Sequence, residues 1–262
     1  YFSLVRDLGV HHVRDLFMSW HRCEPQPGKP YDFSLSDDLA RRAGAADTDL
    51  LAVCSVIPSW AAAQGSSVSW SFGVPRRDQS DAFVRFVAAF VDRYDGNGAR
   101  DMPGLRRPVR CYEFMTEEEY VPAAEYAYWL QLFYKTVKRV NPKVQVVLGG
   151  LSSPGLKSVS RPQGDYDTYF ERLLGCAELA GPAYPYFDVA AFHNYPMNYP
   201  GRQPFVDSLD YMRRTMAARQ IHRPIWLTAY GVQNSGDTAA ALNRQACDVV
   251  KYTVQARALG LE

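Results

Sequence analysis

Three apolar runs in this chain end in side chains able to do chemistry. Residues 109–115 lead into Thr116-Glu117-Glu118-Glu119, residues 187–192 into His193-Asn194-Tyr195, and residues 225–228 into Ala229-Tyr230-Gly231. A fourth run, 10–14, ends on Arg14. Carboxyl and imidazole groups move protons when a pocket holds them within hydrogen-bond reach of a reacting atom. Each group also has a plainer reading. The glutamates fit a solvated acidic turn capping a helix that starts near Pro122. His193 alone fits a satisfied structural histidine, and Arg14 fits one half of an ion pair with no direct chemistry.

The surrounding sequence supplies the elements that must position these groups. Residues 50–56 form a continuous apolar run, as expected of a strand buried on both faces. Residues 10–14, 109–115, 144–148, 187–192 and 225–228 are read as further strands. Amphipathic helices lie between them: Phe83, Phe86, Val87 and Phe90 recur at i, i+3, i+4, i+7, as do Tyr126, Trp129, Leu130 and Phe133. Ser80 or Asp81 is placed to cap one helix, Asn141-Pro142 ends another, and a short helix ends at Gly9. Strands alternating with helices imply right-handed βαβ units and a parallel sheet. The 262 residues suit a single domain, 1–262. The expected fold class is α/β, of the (β/α)8 TIM-barrel type, for which about 250 residues is ordinary. Six strands are legible; the first and eighth are not identifiable. Either flanking residues are absent from this sequence or the barrel is open. An open parallel sheet exposes two edges and invites a partner protein or self-association.

Active sites of such barrels lie at the carboxyl ends of the strands. Read in order, those ends resemble the retaining glycoside hydrolases of clan A, with xylosidase/iduronidase-like or cellulase-like character. Trp20-His21-Arg22-Cys23-Glu24-Pro25, followed by Gly28, Tyr31, Phe33 and Asp38, resembles the clan's W-x-x-x-E-P, G-x-Y-x-F, D loop. Pro58-Ser59-Trp60-Ala61 resembles its P-x-W-A loop, and Tyr112-Glu113-Phe114-Met115-Thr116-Glu117 its fourth-strand W-E-x-x-N-E-P. Asp188 through His193 and Tyr195 resembles D-x-x-x-x-H-x-Y. Ile225-Trp226-Leu227-Thr228-Ala229-Tyr230-Gly231 resembles the seventh-strand pattern apolar-Trp-apolar-Thr-Glu-x-Gly. The resemblance spans nearly the whole chain. It implies Glu117 at the acid/base position and Ala229 at the nucleophile position. It further implies Arg14, Trp20, Trp60, Thr116, His193, Tyr195 and Trp226 around an oligosaccharide or glycoside.

The departures matter as much as the matches. Retaining hydrolysis needs two carboxyls about 5–5.5 Å apart, one protonating the leaving oxygen and one attacking the anomeric carbon. Ala229 offers neither a nucleophile nor charge. Thr116 stands where the clan has asparagine, and keeps a hydroxyl without the amide's paired donors. Glu118 replaces a proline and, with Glu119, adds negative charge that tends to raise the pKa of Glu117. An introduced replacement explains Ala229 alone, in a true retaining glycosidase; natural decay explains all three departures. The expectation is therefore a non-hydrolytic relative with a carbohydrate-binding or a structural, assembly role.

Composition narrows the remaining classes. With 29 basic and 28 acidic residues the chain has no footprint for nucleic acid or an anionic membrane. No apolar run approaches the roughly 18 residues of a membrane span, and no signal-peptide pattern is visible in this chain, so a soluble protein of unassigned compartment is expected. Cys23, Cys54, Cys111, Cys176 and Cys247 lack metal spacing and are odd in number, which argues against zinc and a complete disulfide framework. No cofactor is implied. The acidic loop from Asp95 to Asp101 reads as a folded turn, with a weak calcium site as its alternative.

Overall fold

A computed structural model describes residues 2–63, 73–157, 168–195, 203–232 and 236–261. Its strands are β1 (His12–Ser19), β2 (Asp49–Ser55), β3 (Cys111–Phe114), β4 (Gln145–Leu148), β5 (Leu151–Ser152), β6 (Ala190–Asn194) and β7 (Ile225–Tyr230). All pairings between them are parallel, in the orders β1-β2-β3-β4 and β5-β6-β7. Gly149-Gly150 separates β4 from β5, so the two act as one interrupted strand. A parallel bridge between Val147 and Val189 carries the order across the interruption. Asp188 strengthens that junction: its carboxylate accepts from the Val146 amide at 2.8 Å and pairs with Lys138 at 2.6 Å. The result is an α/β barrel of TIM type that is not closed among the described residues, because β1 and β7 do not pair.

The strands depart from their expected bounds most at β1 and β6, while β7 runs on to Tyr230 and β3 starts at Cys111. β1 runs to Ser19 rather than stopping at Arg14, since pairing with β2 continues from His12 opposite Asp49 to Ser19 opposite Ser55. A bulge between Asp15 and Met18 breaks the alternation that a sequence pattern can follow. β6 begins at Ala190 rather than 187 because Asp188 and Val189 bond back to β4.

The helices are α1 (Phe2–Asp7), α2 (Trp20–Cys23), α3 (Ser34–Ala45), α4 (Ser80–Tyr94), α5 (Ala123–Val140), α6 (Tyr169–Leu174), α7 (Pro204–Ala217) and α8 (Ala239–Ala258). The expected stripes on α4 and α5 are fully buried. The two helices meet edge to face at Phe83 and Trp129, 5.3 Å apart, and α5 reaches the sheet through Phe133, whose ring tilts against Phe114 of β3 at 4.9 Å. Each such side chain contributes about 1.5–3 kcal/mol by leaving water. Much of the chain's aromatic content, 13% of its residues, is therefore core. Neither Ser80 nor Asp81 caps α4: both lie inside it, and the Ser80 hydroxyl donates to the Arg77 carbonyl at 2.6 Å. Asn141 does end α5. The opposite side of the molecule is barer. β7 is half-buried along its whole length, and α8 exposes Leu242, Val249, Val250 and Val254.

All five cysteines are free thiols. The acidic loop is a folded turn: Asp101 accepts from the amides of Gly96 and Gly98, and Asp95 from that of Asn97. No described helix is long and apolar enough to cross a membrane.

Candidate functional site

The site grows from β3. Alternation sends Tyr112 and Phe114 outward to the helices and Cys111 and Glu113 into the lumen. Glu113 is fully buried, and a carboxylate there requires charge and hydrogen bonds. Arg14 of β1 supplies both, as a fork at 2.7 and 2.9 Å, and the Gly150 amide adds a third bond at 2.9 Å. Burial works against the Arg14 guanidinium, yet the paired carboxylate outweighs it and holds Arg14 above its ordinary value. The same arginine donates to the Thr116 hydroxyl at 2.9 Å. Arg14 thus lies beneath the mouth as an ion-pair partner.

Beyond β3 the backbone turns sharply. Met115 and Glu117 both sit in the left-handed region, with φ of 62° and 53°, a conformation few non-glycine residues adopt. The Glu117 amide donates to the Gly150 carbonyl at 3.0 Å. Its carboxylate meets His193 Nδ1 at 2.9 Å. His193 is buried near the end of β6 and brings its Nε2 end against Gly150, where a Cβ would stand 2.1 Å from that nitrogen. Gly149 is just as constrained, since a Cβ would fall 2.4 Å from the Phe114 carbonyl oxygen. Glycine at both positions lets strand, turn and imidazole converge. Tyr195 follows His193 and sits half-buried beside Gly231; burial pushes its phenol up, and the Glu117 charge adds to that.

Glu118 and Glu119 do not form a solvated turn. Both are buried. Glu118 Oε2 accepts from the Gly73 amide at 3.1 Å, and Glu119 accepts from the Ser152 amide. Burial, reinforced by Glu119, holds the Glu118 carboxyl well above the usual carboxylate range.

Ala229 reaches the same end of the sheet through a bulge in β7. Phe192 pairs with Leu227 and His193 with Ala229, which leaves Thr228 unpaired. Strict alternation from Trp226 would turn Ala229 outward. The extra residue instead places its methyl on the face His193 occupies, while Tyr230 turns outward to Phe205.

The three tryptophans fare differently. Trp20 is only 1% exposed, stacked on Phe86 and bonded to Glu24 at 2.8 Å. It belongs to the core, a correction to its expected place against a substrate. Trp60 packs edge-on against Trp20 and donates to the Glu24 carbonyl at 3.0 Å, keeping a partly exposed face. Trp226 packs on Val147, Val189 and Ala191 inside the lumen, three residues before Ala229 and below the mouth. A cavity of about 670 Å³ reaches Trp226 from the amino-terminal ends of the strands, where His12, Asp49, Arg110 and Gln145 line it; none of Glu117, His193 and Ala229 does.

Reasoning from sequence overlooked Glu113 and Gly150, which organise the site. A charged residue inside an otherwise apolar strand was the available signal for Glu113. Chemically, the cluster presents one carboxylate in contact with an imidazole, above a neutralised ion pair, and no carboxylate at position 229. No group of His, Cys, Asp and Glu suited to a metal occurs among the described residues.

No family model and no curated protein matches the chain. Solved structures do. A family 39 glycoside hydrolase from Bacteroides cellulosilyticus WH2 superposes with a TM-score of 0.70 at 18% identity, covering 98% of this chain and 50% of that one. A family 39 beta-xylosidase from Caulobacter crescentus gives 0.60 at 16%, covering 90% and 49%. The hyperthermostable endo-1,4-beta-D-mannanase of Thermotoga petrophila RKU-1 gives 0.58 at 16%, covering 95% and 79%. The chain spans about half the length of the first two. At these identities the likeness shows the fold, a glycoside-hydrolase-like barrel.

Proposed function

We propose that this protein is a non-hydrolytic, carbohydrate-binding relative of the clan A glycoside hydrolases. One observation carries the reading: Glu117 and Ala229 both meet His193, one through its carboxylate and the other through strand register. This supports reading position 229, which holds a methyl, as the place of the second carboxylate. Glu117 offers a proton or a hydrogen bond to a sugar oxygen, and Tyr195 a phenol. Nothing at 229 can attack an anomeric carbon.

Calorimetric titration with a panel of oligosaccharides tests this directly. Binding is expected, and Glu117→Gln should weaken it by about tenfold, the loss of one charge-assisted contact. Aryl glycosides should show no turnover above that of Glu117→Gln. Restoring the carboxylate with Ala229→Glu separates decay from a single replacement. Proximity can contribute several kcal/mol, so an otherwise intact site would regain orders of magnitude. Because Arg14 already engages the Thr116 hydroxyl, we expect little from the single change and activity only with Thr116→Asn added. A fully active single revertant would make the protein a retaining glycosidase carrying an altered nucleophile position.

A second reading, a role in assembly, is supported by the edges of β1 and β7, which pair on one side only among the described residues, and by Leu16 of β1, exposed at 42%. Open parallel edges with apolar flanks favour polypeptide that completes the sheet, from a partner or a second copy. Sedimentation would distinguish these: a concentration-dependent dimer supports self-association, and a monomer at all concentrations removes it.

A further inference from the structure

Three consecutive glutamates leave the end of β3 and reach three different elements. Glu117 contacts His193 on β6, Glu118 the amide of Gly73 ahead of α4, and Glu119 the amide of Ser152 on β5. We propose that Glu118 is a positioning residue: by gripping the Gly73 amide from inside the fold, it locks the turn that aims Glu117 at the mouth. The idea rests on reading Glu117 as the functional carboxylate of the site.

The geometry supports it in three ways. The turn is one a chain does not hold unaided, because left-handed residues at 115 and 117 cost about 1–3 kcal/mol each and persist only where surroundings over-determine them. The determining contacts are the ones named. The Glu117 amide is held by Gly150, Glu118 holds Gly73, and the Val121 carbonyl at the far end accepts from the Tyr169 hydroxyl at 3.0 Å. Next, Glu118 is 1% exposed, and its Oε1 has no hydrogen-bond partner among the described residues. Surface decoration does not look like this, for a buried carboxyl held only by backbone groups, those of Gly73 and Thr116, costs free energy unless it fixes something. Finally, the groups facing it are uncharged donors or other acids. These are the backbone groups of Gly73 and Thr116, Glu119 on its own turn, Tyr126 of α5 and Tyr169 of α6. With no cation among them, burial holds the carboxyl well above the usual carboxylate range, and its Oε2 accepts the Gly73 amide. Such a group is replaceable by an amide of the same shape.

That last point supplies the experiment. Glu118→Gln keeps shape and acceptor; Glu118→Met keeps the volume, suits the apolar site, and removes the acceptor. Hydrogen exchange at the Gly73 amide and the 15N signals of the His193 imidazole are read without any ligand. The outcome is therefore independent of whether an oligosaccharide binds; titration of the same variants tests that separately. Glu118→Gln should match the parent in both readouts. Glu118→Met should exchange Gly73 about tenfold faster, as expected for one lost hydrogen bond. It should also move the His193 signals toward those of Glu117→Gln. A merely structural role would lower the melting temperature without moving His193. Glu118→Met indistinguishable from the parent at His193 would overturn the proposal, as would Glu118→Gln perturbing His193 as strongly as Glu118→Met.

Discussion

The ends of β3 and β7 meet at one mouth and are built in opposite ways. β3 carries Glu113 and leads into Glu117, Glu118 and Glu119, and each of these carboxylates has a defined contact: a guanidinium, an imidazole or a backbone amide. Behind it stand α4 and α5 with their interlocked aromatics. β7 carries Ala229, is half-buried throughout, and is backed by α8, which leaves apolar side chains in solvent. The difference shows where demanding chemistry can be held. Buried charge needs neighbours on both sides, and only the β3 end has strands on both sides.

The sharpest way to break that contrast is to remove the cation from the β3 side. Arg14→Ala leaves Glu113 buried without its partner, and loss of one member of a buried pair costs about 3–5 kcal/mol. Urea denaturation should show it; a loss below about 1 kcal/mol would mean the pair behaves as a surface bridge. Tyr126→Phe tests the bracing from α5. The Tyr126 hydroxyl donates to the Phe114 carbonyl at 2.9 Å and accepts from the Gly149 amide at 3.1 Å. Its removal should cost about 1–3 kcal/mol in the same assay.

Glu118 sharpens the comparison through pH. Its folded pKa is raised, so between the unfolded value and the folded one the native state binds more protons than the unfolded chain. The stability this group contributes is fully present below the unfolded pKa and is lost as pH rises through the folded one. Stability should therefore fall with rising pH from the weakly acidic range upward. The slope from this one proton is at most about 1.4 kcal/mol per pH unit. Glu118→Gln should flatten it, and identical profiles would remove the assignment. The smallest effect belongs to β7: Ala229→Ser should change stability by no more than about 0.5 kcal/mol. A larger loss would reveal tight packing at a position that the comparison treats as slack.

Sequence alone determined the strand and helix rhythm, because apolar runs and 3.6-residue stripes are local consequences of burial. Phe83, Phe86, Val87 and Phe90 had to face a core whatever else the chain did. The succession of groups at strand ends was legible for the same reason: parallel connections bring all those ends to one side. What tertiary structure decided was which side chains meet. Glu113 sits ninety-nine residues from Arg14, and no local pattern encodes that pairing. Trp20 read as a rim aromatic until Phe86 and Glu24 closed over it. Glu118 and Glu119 read as added charge beside Glu117, with a solvated turn as the plainer alternative, and neither reading contained the amides from two other segments that hold them inside. Ala229 is the clearest case. The resemblance set it at the mouth, whereas plain alternation from Trp226 would turn it out of the barrel; the unpaired Thr228 is what turns it in. A bulge is a property of two strands in register, so one strand's sequence could not contain it.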